Sequence, residues 1–153
     1  MMKQKTLPVF LLIVALLLAA CGTGGSEFDR QRAAWDGQAV THYRFTVAVL
    51  CFCPFANVPV TYEVLDGQVV NASVGPEVDL GGGTLEQVTS MTAEFDTVEK
   101  LFAYVERALN EADKVEVTYD ASYGFPSQVS VDWIELAVDD ELAFTITGFE
   151  ALP

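Results

Sequence analysis

The chain has 153 residues, of which 22 are acidic and 8 basic, so its formal net charge at pH 7 is -14. This length suits one domain of ordinary size with its own hydrophobic core. The charge argues against a nucleic-acid partner, because proteins hold phosphates through Lys and Arg. The negative charge favours a cationic ligand or partner, although a need for solubility explains the same charge equally well.

The N-terminal segment has the layout of an export signal. A charged start precedes an apolar run, Val9 to Ala20, which is too short to span a bilayer, since a span needs about 20 apolar residues. The junction Leu18-Ala19-Ala20-Cys21 resembles the lipobox of bacterial lipoproteins. We therefore expect a signal peptide, residues 1–20, to be removed and Cys21 to be acylated. A plain secretory signal with a chance cysteine is the alternative.

Acylation of Cys21 would anchor the protein in the membrane and leave it facing outside the cytoplasm. In a Gram-negative host, Gly22 resembles the residue that follows the cysteine in outer-membrane lipoproteins. Residues 21–25 are then a lipidated tether, and residues 26–153 are a single α+β domain. Its first element is a short helix that begins at Ser26, with Asp29 as part of a weak capping box, and ends near Gly37.

The fold class is α+β: an antiparallel sheet of about six strands packed against one main helix, with the short N-terminal helix beside it. Regular period-two alternation predicts strands with one covered face. The expected strands are 43–53, 58–65, 69–74, 114–120, 127–133 and 141–149. Asp66-Gly67 is a hairpin turn signal. In the first strand the odd-numbered residues, Tyr43 to Cys53, are expected to face the core.

The main helix is predicted between Val98 and Leu109, where apolar residues recur at helical spacing. From Gly75 to Thr92 no periodicity remains, and Gly81-Gly82-Gly83 lies within this segment. We expect a mobile loop there. A ligand contact is the less favoured alternative, because no Gly-Lys-Ser or Gly-Lys-Thr follows the glycines as a phosphate-binding loop requires.

Two cysteines close the first strand in the stretch Leu50-Cys51-Phe52-Cys53-Pro54. An exported protein meets an oxidising compartment, and with Cys21 acylated these thiols form the remaining pair. Residues two apart in an extended strand have Cα atoms about 6.6 Å apart, near the upper limit for a disulfide, so a bridge requires a bend. A structural disulfide is favoured. A redox role, two reduced buried thiols and a metal site remain open.

Other constellations are weak. The single His42 has no cysteine or serine motif beside it, so we expect no catalytic residues, no cofactor, no metal and no enzyme activity. Asp139-Asp140-Glu141 indicates a solvated turn rather than a calcium site. The candidate binding residues are Tyr119, Asp120, Tyr123, Gly124, Phe125 and Pro126, a turn dense in aromatics. The competing interpretation is that these aromatics fold back as a packed plug over the edge of the sheet.

Taken in order, several short motifs resemble the bacterial lipoprotein family catalogued as domain of unknown function 6174. They are Trp35, His42-Tyr43-Arg44-Phe45-Thr46, Cys51-Phe52-Cys53, Val64-Leu65-Asp66-Gly67-Gln68-Val69-Val70, Leu101-Phe102, Val115-Glu116-Val117-Thr118-Tyr119-Asp120, Tyr123-Gly124-Phe125-Pro126, Val131-Asp132 and Asp139-Asp140-Glu141. The likeness runs through most of residues 35–152. Members of the family often have Ser where this chain has His42, which argues against a family-wide catalytic role for that position.

The resemblance implies a location in the cell envelope and a compact domain, and it brings no activity with it. We expect a lipid-anchored, non-enzymatic binding or accessory module whose partner is another envelope protein or a cationic ligand. Its contact regions are expected to be the 119–126 turn and the glycine-rich loop. The alternative is a thiol redox or metal-handling lipoprotein that acts through Cys51 and Cys53.

Overall fold

The computed structural model describes residues 26–153. The expected signal peptide, the acylated Cys21 and the tether of residues 21–25 lie outside the described residues. Three helices and six strands form within the described part. In chain order they are α1 (Glu27–Gln38), β1 (His42–Cys51), β2 (Val60–Leu65), β3 (Gln68–Val74), α2 (Leu85–Met91), α3 (Val98–Glu111), β4 (Lys114–Tyr119), β5 (Pro126–Asp132) and β6 (Leu142–Ala151).

The six strands form one antiparallel sheet in the order β3-β2-β1-β6-β5-β4. The first and last strands therefore pair at its centre, with Val49 opposite Phe144 and Cys51 opposite Leu142. On either side of that pair lie two strands connected by short turns. The predicted α+β class and the six-stranded antiparallel sheet are confirmed.

Only one face of the sheet is covered, as the alternation predicts. Along β1 the odd-numbered residues Tyr43, Phe45, Val47 and Val49 are buried, whereas Arg44 and Leu50 are exposed. The helix α3 buries one broad stripe against this face, comprising Val98, Leu101, Phe102, Tyr104, Val105 and Ala108. Leu109, which belonged to the predicted stripe, is exposed and lies in the last turn of the helix.

The helix α1 confirms the predicted N-terminal element. The Ser26 hydroxyl accepts a hydrogen bond from the Asp29 backbone N–H at 3.1 Å, and the Asp29 carboxylate accepts one from the Ser26 backbone N–H at 2.9 Å. This reciprocal pair satisfies two helix N-terminal donors. Trp35 anchors the other end of the helix by packing edge-on against Tyr43 of β1. The helix therefore begins where the sequence signal places it, but Gly37 lies inside it, and the left-handed residue that ends it is Ala39, with φ of +51°.

The helix α2 was not predicted, so the expectation of a mobile loop from Gly75 to Thr92 is wrong for residues 85–91. Thr84 and Gln87 form a capping box that starts the helix. Only Val88 among its residues is a buried hydrophobic, so the helix has no apolar stripe to reveal it. Within residues 26–153 the structure therefore has three helices, whereas one main helix and one short N-terminal helix were predicted.

Candidate functional site

A disulfide joins Cys51, the last residue of β1, to Cys53. Their Cα atoms are 5.2 Å apart, shorter than the spacing of about 6.6 Å in an extended strand, so the chain bends here as the sequence predicts. The bend is held beyond the bridge by the Asn57 backbone N–H, which donates to the Val49 carbonyl at 2.6 Å. Both cysteines are partly exposed. Cys51 packs against the hydrophobic core, as expected, whereas Cys53 is not among the residues that pack there.

The glycine-rich segment supports this bend. The Phe55 ring lies against Gly83, where a Cβ atom would overlap it. Gly81 and Gly82 have φ of +59° and +88°, a conformation that glycine adopts readily. At least one of the three glycines is therefore needed to seat an aromatic ring of the same chain.

Exposed apolar side chains converge on the end of the sheet that carries the disulfide. Phe52 is 81% exposed, and Leu136 and Val138 in the loop between β5 and β6 are 93% and 83% exposed. The two segments are neighbours because Cys51 pairs with Leu142, the first residue of β6. We call this set the apolar end. Its members are Leu50, Phe52, Ile134, Leu136 and Val138.

Sequence reasoning missed the apolar end. Residues 133–141 read as the termini of two strands with a solvated turn between them. The available signal was the run Trp133-Ile134-Glu135-Leu136-Ala137-Val138, which has too many apolar residues for a turn. The expected turn at Asp139-Asp140-Glu141 does lie outside the strands, and Asp140 organises the loop by accepting a hydrogen bond from the Ile134 backbone N–H at 2.8 Å.

Carboxylates crowd the apolar end. Burial raises the pKa of Asp132, and the neighbouring Asp140, Glu141, Asp113 and Glu135 raise it further. Despite this crowding, no group of three or more His, Cys, Asp or Glu side chains within residues 26–153 is arranged to hold a metal ion.

The turn at residues 119–126 is organised mainly for packing. The Asp120 carboxylate accepts hydrogen bonds from the Ser122 and Tyr123 backbone N–H groups at 2.9 and 2.8 Å. Phe125 is 2% exposed and packs on Phe149 with ring centroids 4.7 Å apart.

This turn corrects part of the predicted binding site. Gly124, Phe125 and Pro126 are buried, because the Phe125 ring fills the end of the core between α1 and β6, so these three residues are not available as a contact surface. The packed plug is therefore the right interpretation for them. Tyr119, Asp120 and Tyr123 are partly exposed, and their role in binding stays a prediction.

A cavity of about 250 Å³ lies between α3 and the loop before it, lined by Glu94, Lys100, Tyr104 and Arg107 among others. Its two cations already have acidic partners: Lys100 pairs with Asp96 at 2.7 Å and Arg107 with Glu94 at 3.4 Å. Burial raises the pKa of Tyr104 to about 12, so its hydroxyl stays neutral at physiological pH.

These features define an α+β domain with helices on one face of a six-stranded antiparallel sheet and an acidic, apolar loop surface at one end. None of its helices within residues 26–153 is long and apolar enough to cross a membrane. The chain belongs to the Family of unknown function (DUF6174), whose model matches residues 27–151. No curated protein and no solved structure matches it.

Proposed function

We propose that the protein is a lipid-anchored module of the cell envelope that binds a partner and catalyses no reaction. The observation that carries the anchoring is the Leu18-Ala19-Ala20-Cys21 junction, directly after an apolar run that is too short to span a bilayer. The structure supports it because α1 is capped at Ser26, five residues after Cys21. Five residues extend at most about 18 Å, so the anchor would hold the domain close to the membrane surface.

The binding role is supported by the state of the reactive side chains. Both ring nitrogens of His42 are engaged, one with the Glu63 carboxylate and one with the Pro153 carbonyl, each at 3.0 Å. Cys51 and Cys53 are joined to each other. A nucleophile needs an adjacent free base, and these residues offer none. The surface carries the exposed apolar side chains of the apolar end. Large exposed apolar patches mark sites of interaction, so the apolar end supports a binding role.

The anchoring is tested by the intact mass of the protein purified from bacterial membranes, compared with a Cys21→Ala variant. We expect the wild type to begin at Cys21, to carry the mass of acyl chains and to sediment with membranes. The variant should lose the acyl mass and leave the membrane fraction. A wild-type protein that is cleaved at another residue, or that carries no acyl mass, would reject the anchor.

A second candidate function, thiol redox chemistry, is favoured by the small size of the disulfide loop. In the chain-entropy model a loop of three residues stabilises the fold by only about 1.6 kcal/mol, and both cysteines are partly exposed. Opening the bridge therefore leaves the core in place. A redox module would cycle this bond between disulfide and dithiol, with an external thiol as the reductant.

Equilibration in glutathione buffers of graded potential, followed by alkylation and mass analysis, tests the redox candidate. A redox role predicts that the Cys51–Cys53 bond opens within the range of cellular thiol buffers. A bridge that stays closed in the most reducing buffer would reject it. The double variant Cys51→Ser with Cys53→Ser is the matched control, and it should fold with a loss of no more than about 1.6 kcal/mol. Adding zinc to the reduced wild type tests metal handling in the same experiment.

A further inference from the structure

The apolar end combines two features that rarely occur together without a partner. Its five large side chains come from the end of β1, the residue after it and the β5–β6 loop, which lie at the same end of the sheet because Cys51 pairs with Leu142. Soluble monomers seldom expose contiguous apolar patches of more than a few hundred Å². The remaining large exposed hydrophobics of residues 26–153 are spread over β2, β3, α2 and α3.

The charge around the apolar end limits what can cover it. Asp113 and Asp140 accept hydrogen bonds from the Glu135 and Ile134 backbone N–H groups of the β5–β6 loop at 3.0 and 2.8 Å, and Asp132, Glu135 and Glu141 lie in or beside the same loop. One nearby cation, Lys114, is already paired with Glu116 at 3.0 Å. The apolar side chains are therefore surrounded by carboxylates with little compensating positive charge among the described residues.

Two possible occupants are disfavoured by this charge. A second copy of the chain would bring the same carboxylates against their own kind, and like charges across an interface cost several kcal/mol. An anionic bilayer surface attracts basic segments and repels acidic ones. A partner protein with basic residues around an apolar groove satisfies both the apolar and the acidic parts of the surface.

We propose that the apolar end docks into an apolar groove, bordered by Lys or Arg, on a partner protein. Phe52, Leu136 and Val138 would fill the groove, and the surrounding carboxylates would pair with its basic border. The inference rests on the proposed binding function and names the surface that performs it. The disulfide has a role in this arrangement, because it fixes the bend on which Phe52 is presented.

The point at which the N-terminal tether enters the domain determines which surface would face the membrane. Ser26 lies beside Leu109 and Asn110, near the C-terminal end of α3. That end leads directly to Asp113, whose backbone N–H donates to the Trp133 carbonyl at the base of the β5–β6 loop. The chain therefore enters the domain on the side of the apolar end, and an anchored domain would turn this surface toward the membrane. A bilayer must accordingly be tested as a competing occupant.

The test uses the full chain, purified as the cell processes it and held in phosphatidylcholine nanodiscs. The probe is a labelled 18-residue amphipathic helix whose leucine stripe, bordered by lysines, has the chemistry proposed for the groove. Its binding is measured by fluorescence anisotropy, with empty nanodiscs as background. We expect saturable binding that Leu136→Ser combined with Val138→Ser weakens at least tenfold at unchanged charge. Val70→Ser, which changes an exposed apolar residue of β3, is the matched control and should bind as the wild type does.

A second pair of measurements separates charge from apolar contact. Glu135→Gln combined with Glu141→Gln should weaken binding and reduce its dependence on salt. A peptide with glutamate in place of every lysine should not bind. Equal binding of the two peptides, or equal affinity of the wild type and the Leu136→Ser, Val138→Ser protein, would overturn the proposal.

The bilayer alternative has its own readout. In nanodiscs of brominated phosphatidylcholine, Phe52→Trp should show no quenching beyond that of the wild type. Strong additional quenching would place the apolar end in lipid and overturn docking to a protein. Failure of the anchor is distinguishable, because it shows in the mass and membrane fraction of the protein, whereas failure of docking shows only in peptide binding.

Discussion

Gly124 shows at the scale of one residue why the 119–126 turn is structural. Its φ is +84°, and a Cβ atom there would lie 2.8 Å from the Gln31 carbonyl oxygen and 3.0 Å from the Ala34 Cβ. The turn therefore lies directly against the backbone of α1. Only a residue without a side chain allows both this conformation and this close approach.

We expect Gly124→Ala to destabilise the protein by about 2 to 5 kcal/mol, the sum of the left-handed backbone cost and of overpacking against α1. Gly67→Ala is the matched control, because Gly67 has a similar φ of +74° with open space around it. It should cost only about 1 to 2 kcal/mol. Urea unfolding of the two variants measures the difference, and equal losses would contradict the packing argument.

His42 carries a second prediction at this scale. The Pro153 carbonyl and, next, the Glu63 carboxylate raise the pKa of His42 above its ordinary value of 6.5, and Asp66 adds a smaller effect. Because the folded pKa lies above the unfolded one, the protonated ring stabilises the fold below pH 6.5. That contribution is lost as the pH rises through the folded pKa.

Titration of the His42 ring by NMR should therefore give a pKa above 6.5 in the wild type. Glu63→Gln should lower it, because the variant loses the carboxylate but keeps the Pro153 contact. Thr61→Val, which changes the neighbouring position on the same strand face, is the control and should leave the pKa unaltered. A wild-type pKa at or below 6.5 would show that the ring does not keep these contacts in solution.

At the scale of elements, Tyr43 joins three of them. Its hydroxyl accepts a hydrogen bond from the Val98 backbone N–H at 3.0 Å, at the start of α3, and donates to the Glu99 carboxylate at 3.1 Å. Trp35 of α1 donates to the same carboxylate at 3.4 Å. Burial raises the pKa of Tyr43 well above its usual value, so the hydroxyl remains a donor at any physiological pH.

Tyr43→Phe should cost about 1 to 3 kcal/mol, because it leaves the buried Val98 N–H without an acceptor. Tyr119→Phe is the matched control: its ring is partly buried, and its hydroxyl makes no hydrogen bond among the described residues. It should be nearly neutral. Thermal and urea unfolding provide the comparison, and hydrogen exchange in the first turn of α3 should rise only in the Tyr43 variant.

The elements also show what sequence patterns can reveal. Alternation identified β1 with its buried face and the three strands after α3, because one wet face imposes a strict period of two. The β2–β3 hairpin was identified by its Asp66-Gly67 turn signal, since β3 is largely exposed and has no such period. The helix α2 has a single buried hydrophobic residue, Val88, so no periodicity could reveal it. The apolar end was missed for a different reason. Residues 134–140 were interpreted as a solvated turn between two strands, and whether the apolar side chains in such a segment are covered depends on the tertiary structure.

At the scale of the whole molecule, charge sets the response to salt. A net charge of -14 means that carboxylates repel one another across the folded surface, and Asp132 is a local instance. Raising ionic strength from 0.01 to 0.15 M shortens the screening length from about 30 Å to about 8 Å. We therefore expect the free energy of unfolding to rise over this range.

Urea unfolding at the two salt concentrations measures this response. Asp132→Asn should stabilise the protein in low salt and reduce the gain from added salt, because it removes one member of the crowded group. Glu77→Gln removes an equal charge from an exposed residue between β3 and α2, outside this group of carboxylates, and it should have a smaller effect. Stability that falls with salt would mean that surface ion pairs outweigh the repulsion.

The position of β6 determines when the sheet can be completed during synthesis. This strand forms the centre of the sheet with β1, and the Leu152 backbone N–H donates to the His42 carbonyl at 2.9 Å, so contacts span about a hundred residues of sequence. As a chain emerges N-terminus first, β1 lacks its central neighbour until the last strand appears. The sheet therefore cannot be completed on a partial chain, and this delay would keep the chain unfolded for the export that the proposed anchoring requires.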